Sequence, residues 1–427
     1  MLTRRSLLAA AVARPDRSIR RELFLAAPGA GTASMAAAYY TRPRGGEMLC
    51  VETRMRRSDT VENIRLRHSS DHGRRWSEPV EEKTTERRPG GTWRRAPRGV
   101  FPTPNDALVE FWNEATLPTD DPLEGLRRWS IWYAISDDGG RTRRLSRPLV
   151  QHSGGFTPEK PFPGIFVGKN SYMLGDITCT PLLLPDGSLL LPAVISPLAP
   201  DGSLYNPTGA YTYHDAAFFH GRWQGGELAW ELRARIPGDP ARSSRGLDEP
   251  TLALLKDGTV LAVMRGSNER HPELPSRRWA AFSRDQGRTF TRPEPWTFTT
   301  GEPFYSPAAC SQLVAHSSGR LFWLGNITKE NPNGNRPRYP FVIAEVDGTS
   351  GRLDGATLRA VDDLQPGEDP ILTLSNFYAR ENRQTGDIDL HMSRLFASAT
   401  QPWSGDAFLY RIPVQQPRII DGRGAHP

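Results

Sequence analysis

An acid, a phenol and two guanidinium groups recur in this sequence at a fixed distance from tight turns. Glu249 lies eight residues before Asp257, and Arg265 lies seven after Gly258. Arg54 lies eight after Gly46, and Tyr378 lies seven before Thr385. Asn113 and Asn326 each lie seven residues after a further turn, at Asp106 and Gly319. In a hairpin, the strands entering and leaving the turn reach the same far end after about that many residues, so these side chains gather on one rim. Carboxyl and phenol groups exchange protons, and arginine is suited to holding an anionic group.

The turns themselves form a series. Gly45-Gly46, Asn105-Asp106, Asp186-Gly187, Asp257-Gly258, Ser318-Gly319 and Thr385-Gly386 are flanked by apolar runs such as TPLLLPDGSLLLPAVI. Each pair supplies the positive φ that a tight hairpin needs. Successive turns stand about 60–80 residues apart, which reads as a repeat array. No amphipathic helical pattern of useful length lies between them. The expected fold is therefore all-β, a six-bladed β-propeller, in which radial stacking buries both faces of every blade. Residues 18–427 are expected to form this single domain, with Ile19–Ala27 as an outer strand that closes the ring on the last blade. Residues 1–17 read as an export signal or a disordered N-terminus. Thr3-Arg4-Arg5-Ser6-Leu7-Leu8 has twin-arginine character, with a short apolar run and an Ala11-x-Ala13 cleavage pattern behind it.

A second repeat is superimposed on the first. SSDHGRRW begins at Ser69, SDDGGRTR at Ser136 and SRDQGRTF at Ser283, in phase with the hairpins. Asp and Ser/Thr side chains there can bond backbone N–H groups, while Gly takes the left-handed corner. These motifs resemble the S-x-D-x-G-x-T-W repeats, or Asp boxes, of the sialidase (neuraminidase) superfamily. The resemblance covers residues 20 to 410 or so and supports the same six-bladed propeller.

The resemblance also implies roles. Glu249 in LDEPTLALL and Arg265 in LAVMRGSN resemble the family's Glu and one of its substrate-clamping arginines. Arg338 in NRPRYP resembles a further arginine, with Arg336 as its alternative. Tyr378 in LSNFYAREN resembles the nucleophile, and Tyr305 in GEPFYSPAACS is the runner-up. Cys50-Val-Glu-Thr-Arg54 resembles a strand ending in E-x-R, and Asp59 follows where the family has its acid/base. In that scheme a neutral phenol, polarised by Glu, replaces the carboxylate nucleophile that an anionic sugar would repel. One position departs from the pattern: the stretch GTASMAAAYY has Ser34 near the place of the family's first arginine. A related sugar acid or a neutral sugar therefore stands beside sialic acid as substrate. Lys169, Asn170, Tyr172 and Asp176 precede the third inner strand and are secondary candidates.

The expected function is a sialidase-like retaining exo-glycosidase acting on a terminal, anionic sugar of a glycan. The alternatives are a non-catalytic carbohydrate-binding propeller and a polysaccharide lyase. Net charge is +6, but the basic residues are interleaved with 48 acidic ones, which argues against a nucleic-acid partner. No run approaches the roughly 20 apolar residues of a spanning helix, so no membrane insertion is expected. Cys50, Cys179 and Cys310 lie far apart in apolar runs, as buried thiols do. No cofactor or metal signature is present. Export to the periplasm or outside the cell is the expectation from the N-terminus, with a cytoplasmic location as its alternative.

Overall fold

The structure is a computed structural model that describes residues 15–398 and 403–414. The twin-arginine segment lies outside the described residues. Six blades of antiparallel strands are arranged as a β-propeller, with blades six and one joined by a parallel pairing of Ala33 with Gly405. Blade one is built from Ala33–Tyr40, Met48–Met55, Asn63–Ser69 and Val80–Lys83. Blade two has Gly91–Pro102, Leu108–Leu117, Ser130–Ser136 and Leu145–Pro148, and blade three centres on Leu189–Ile195, Asp215–Gln224 and Glu227–Ile236. Blade four runs from Asp248–Leu254 through Val260–Arg265 and Arg278–Ser283 to Glu294–Pro295. Blade five has Gln312–Ala315, Leu321–Asn326, Phe341–Val346 and Arg359–Asp362. Blade six takes Thr373–Glu381, Ile388–Leu395 and Gly405–Ile412 from the end of the chain and Arg20–Leu25 from its beginning. The expected closing strand is therefore present, paired antiparallel along Gly405–Ile412.

All six expected turns connect the first and second strands of a blade. Gly187, Gly258, Gly319 and Gly386 adopt φ of 81, 83, 77 and 74°, the left-handed region where a Cβ would be strained. Because these turns lie at one end, the starts of the inner strands and the ends of the second strands lie at the other. Apolar clusters fill the wedges between neighbouring blades. Between blades two and three, Val109, Phe111, Tyr133, Phe162, Phe219 and Trp230 interlock, and between blades four and five Trp296, Phe304 and Trp323 do so. The seam between blades six and one is leaner, with Ala36, Ala38 and Ala407 facing Tyr40, Met48 and Cys50.

Blade three has an interrupted inner edge. Tyr172–Met173 and Leu182–Leu183 both pair with Leu189–Ile195, and the residues between them leave the sheet. That interruption carries Gly175 and Asp176 toward blade four, where a Cβ on Gly175 would stand 2.7 Å from Glu249 Cγ.

The three Ser-x-Asp-x-Gly turns join the third and fourth strands of blades one, two and four. In the third, Ser283 Oγ donates to Asp285 Oδ1 at 2.8 Å and accepts from the Gly287 amide at 2.8 Å. Asp285 also accepts from the Arg288 and Thr289 amides and the Thr289 hydroxyl. These bonds outweigh burial and hold the Asp285 carboxyl down at about 2. Asp285→Ala removes the acceptor for the Ser283 and Thr289 hydroxyls and the Arg288 and Thr289 amides, leaving the Gly287–Ser283 bond, and is expected to lower stability by about 1–2 kcal/mol, read from urea unfolding.

Candidate functional site

The site starts from a bulge in blade four. Pairing between Asp248–Leu254 and Val260–Arg265 shifts register between Asp248 and Thr251, and Glu249 takes φ of 43°. The extra residue breaks the alternation of faces, so two consecutive carboxyls meet one guanidinium. Arg265, opposite Asp248, donates from one Nη to Glu249 Oε1 at 2.5 Å and from the other to Asp248 Oδ2. All three side chains are buried.

Their environments drive the two acids apart. Burial works to raise Asp248, but Arg265, His214 and Arg245 outweigh it and hold this carboxyl well below the usual range. Burial pushes Glu249 up to about 7, Arg265 opposes this, and Asp248 and Asp176 add to the rise. Glu249 Oε2 is buried without a hydrogen-bond partner. Two adjacent carboxyls with opposed shifts are a common basis for acid/base division of labour.

Asp176 enters from the interrupted edge of blade three. It accepts from the Ile177 amide at 2.6 Å and from Asn376 Nδ2 at 3.3 Å. Burial raises it, against the pull of Arg98, Arg265 and Arg338. Asn376 comes from a second bulge, between Ser375 and Phe377 in blade six, with φ of 56°. Arg98 comes from a third, between Pro97 and Gly99 in blade two, and donates to the Leu174 carbonyl at 3.0 Å.

The charge of Arg338 acts on both Glu249 and Asp176. It donates to the Ala308 carbonyl at 2.9 Å, and its Nε is buried without a partner. Arg336 is exposed and shares none of these contacts. Arg278 is only 1% exposed, bonded to Ser306 Oγ and the Ala309 carbonyl, and its charge acts at Glu249's end of the axis. Among the described residues, Arg98, Arg278 and Arg338 have no carboxylate ion pair.

The other expected residues are placed as follows. Asp59 is exposed on a turn bounded by Arg57 and Thr60, with φ of 58° and Ser58 Oγ donating to its Oδ2 at 2.9 Å. It follows the end of the second strand of blade one, at the same end of the propeller as Glu249, and its charge acts on Arg338 and Tyr211. Arg54 is half-buried at the end of its strand, opposite Ser34 and Asn63, and its Nε lacks a partner. The Ser34 hydroxyl turns to the Ala26 carbonyl at 3.1 Å. Tyr305 lies under Arg277, 4.3 Å from guanidinium to ring centroid, apart from the Glu249 group. Tyr378 packs on Tyr39 with ring centroids 4.3 Å apart, and burial pushes its phenol up to about 12 against Arg380 and Arg383. No hydrogen bond or ring contact joins Tyr378 to Glu249 among the described residues. Asn113 and Asn326 hold the neighbours of the charged groups: Asn113 clips both polar groups of the Leu174 backbone, and Asn326 donates to the Arg338 carbonyl.

Asp248, Arg98, Arg278 and Asn376 were not among the sequence candidates. The sequence signal for Asp248 was its place beside Glu249. Arg98 and Asn376 escape turn-counting because they sit on bulges, and Arg278 because it lies on a third strand, directly opposite Arg265.

No family model and no curated protein matches this chain. Solved structures do. A Dyadobacter fermentans protein of unknown function aligns at TM-score 0.60 and 13% identity, over 93% of this chain and 100% of that one. Trypanosoma rangeli sialidase, in complex with the inhibitor DANA, aligns at 0.58 and 13%, over 93% and 60%. The NanB sialidase of Streptococcus pneumoniae aligns at 0.60 and 11%, over 96% and 72%. The chain thus has the propeller fold of sialidases and spans about 60% of the length of the trypanosomal enzyme.

Two outcomes test the electrostatics. Arg265→Ala strands two buried carboxyls and is expected to cost about 3–5 kcal/mol in chemical unfolding, with Arg265→Lys costing less. Glu249 binds its proton more tightly folded than unfolded, so its contribution becomes unfavourable as pH rises from about 4.5 to about 7 and is constant above. Unfolding free energy measured against pH is therefore expected to fall through that window on the order of 3 kcal/mol more in the native chain than in Glu249→Gln.

Proposed function

We propose that the end of the axis where Glu249, Asp176 and Arg338 act forms an axial pocket that binds and hydrolyses a terminal, anionic sugar unit of a glycan, as a sialidase-like glycosidase. The observation that carries this reading is the group of three arginines without carboxylate partners, Arg98, Arg278 and Arg338, acting on the buried acids Glu249 and Asp176. Arg278 is buried and Arg98 and Arg338 are half-buried; cations held there without a carboxylate ion pair favour an anionic partner, and a sugar carboxylate supplies that charge. Sialidases among the solved neighbours act on, or are bound to, ligands of this kind, as with 2,3-difluorosialic acid on the Trypanosoma rangeli enzyme.

In the retaining scheme, Asp59 protonates the leaving oxygen from the rim and then activates water. Glu249, raised to about 7 and acting in its ionised form, takes the proton of the Tyr378 phenol as it attacks the anomeric carbon. Arg265 keeps Glu249 oriented, and Arg338 with Arg98 holds the anionic group. The scheme asks Tyr378 to approach Glu249 in the substrate complex, since the two are not in contact without it. A specific observation favours a second reading, a carbohydrate-binding propeller without turnover: the pairing of Tyr378 with Tyr39, together with Ser34 in place of an arginine.

The deciding experiment assays fluorogenic sialosides, uronides and neutral glycosides. Glu249→Gln and Asp59→Asn are expected to lower kcat/KM at least a hundredfold. Arg338→Ala is expected to raise KM on the anionic substrate alone. Tyr378→Phe is expected to abolish turnover while the fold, read by circular dichroism, is retained. Full activity in Tyr378→Phe removes the phenol from the mechanism. Glycan binding with no product from any substrate replaces hydrolysis by the second reading.

A further inference from the structure

The leanest seam of the ring encloses a cavity. It measures about 160 Å³ and lies between blades six and one, at the end where the inner hairpins turn. Phe24 of the closing strand, His72 and Trp76 of the Ser69–Trp76 turn, and Arg380, Asp389 and His391 of blade six line it. Strand direction puts it at the opposite end of the propeller from Glu249. The inner strand runs toward the 382–386 turn, the second runs back, and the third returns to the Ser-Asp-Gly turn. The mouth is rimmed by the exposed residues Arg74, Gln384 and Thr385.

The polar groups on its walls are unevenly satisfied. Asp389 Oδ2 accepts from Arg380 at 2.8 Å and from Asn382 at 3.0 Å, but Oδ1 is buried without a partner. His391 is 1% exposed, and neither ring nitrogen has a partner. Burial, with Arg380 and Arg411 nearby, keeps its imidazole neutral, so it offers one donor and one acceptor. The cavity thus holds two unmatched acceptors and one unmatched donor. An all-acceptor anion leaves both acceptors unanswered and places its charge against Asp389. A metal cation meets the guanidinium groups of Arg380 and Arg411, which are committed to Asp389 and Glu22. Hydroxyl groups, which donate and accept, answer all three. Two aromatic walls, Phe24 and Trp76 with centroids 6.3 Å apart, offer the apolar surface that the C–H face of a sugar ring needs. At ~30 Å³ per water the space holds about five waters, a volume one pyranose ring fills.

We propose that the seam cavity is a binding site for a single neutral sugar residue, separate from the axial pocket. Its ligand touches the closing strand, blade one and blade six at once, so occupancy ties the ring shut.

The test is calorimetric titration and thermal unfolding of the full chain with free glucose, galactose, mannose and N-acetylglucosamine, and with inorganic phosphate as the anionic probe. At least one of these sugars is expected to bind saturably and to raise Tm by about 3 °C at a hundredfold excess over its Kd. Trp76→Ala, at a half-exposed position, and His391→Leu are each expected to weaken that binding at least tenfold. Arg338→Ala, which alters the axial pocket, is expected to leave it unchanged. No saturable binding of any of the sugars, binding of phosphate alone, or sugar binding that survives Trp76→Ala and is lost in Arg338→Ala each overturns the proposal.

Discussion

The site is organised by one ion-paired triad. Arg265 spans Asp248 and Glu249, and this geometry exists because a single extra residue bulges the inner strand of blade four. Without that residue, one of the two acids would point along the opposite face of the sheet. Burial of three charges is costly, and the fork of the guanidinium offsets it only with both acids in place. The arrangement has a chemical by-product. Asp248 takes the larger share of the positive field and stays ionised, while Glu249 is left close to neutrality with one oxygen unsatisfied.

The architecture was readable in the sequence because its signals are local. Two-residue turn pairs flanked by apolar runs announce hairpins, and six of them, five with a glycine and one with Asp106 at φ of 61°, matched the number of blades. The Ser-Asp-Gly turns were readable for the same reason, since their bonds span at most four residues. The closing strand was legible as an unpaired apolar segment ahead of the first blade.

The site was legible in part. Glu249 and Arg265 sit at the end that turn-counting indicated. Arg338, drawn from the family resemblance, and Asp59 act at the same end. Counting found Glu249 on one bulge but missed the side chains that the other two bulges present. In blade six the shift between Ser375 and Phe377 turns Asn376 to Asp176, whereas Tyr378 meets Tyr39. In blade two the shift after Pro97 presents Arg98. Asp176 sits where a strand is interrupted. Bulges depend on the partner strand as well as on the segment itself, so a one-dimensional reading has no means of placing them.

The ring is fastened by its two extremities. Glu22 and Arg411, joined at 2.8 Å across the last blade, are 389 residues apart in the chain. At ~5–20 residues per second, a ribosome needs roughly 20–80 s to make the second after the first. Throughout that interval the opening strand has no edge to pair with, and Leu23, still 56% exposed in the finished protein, waits in solvent with Phe24 and Leu25. Closure is thus a late, long-range event in the life of the polypeptide, and the seam it creates is the youngest interface in the molecule.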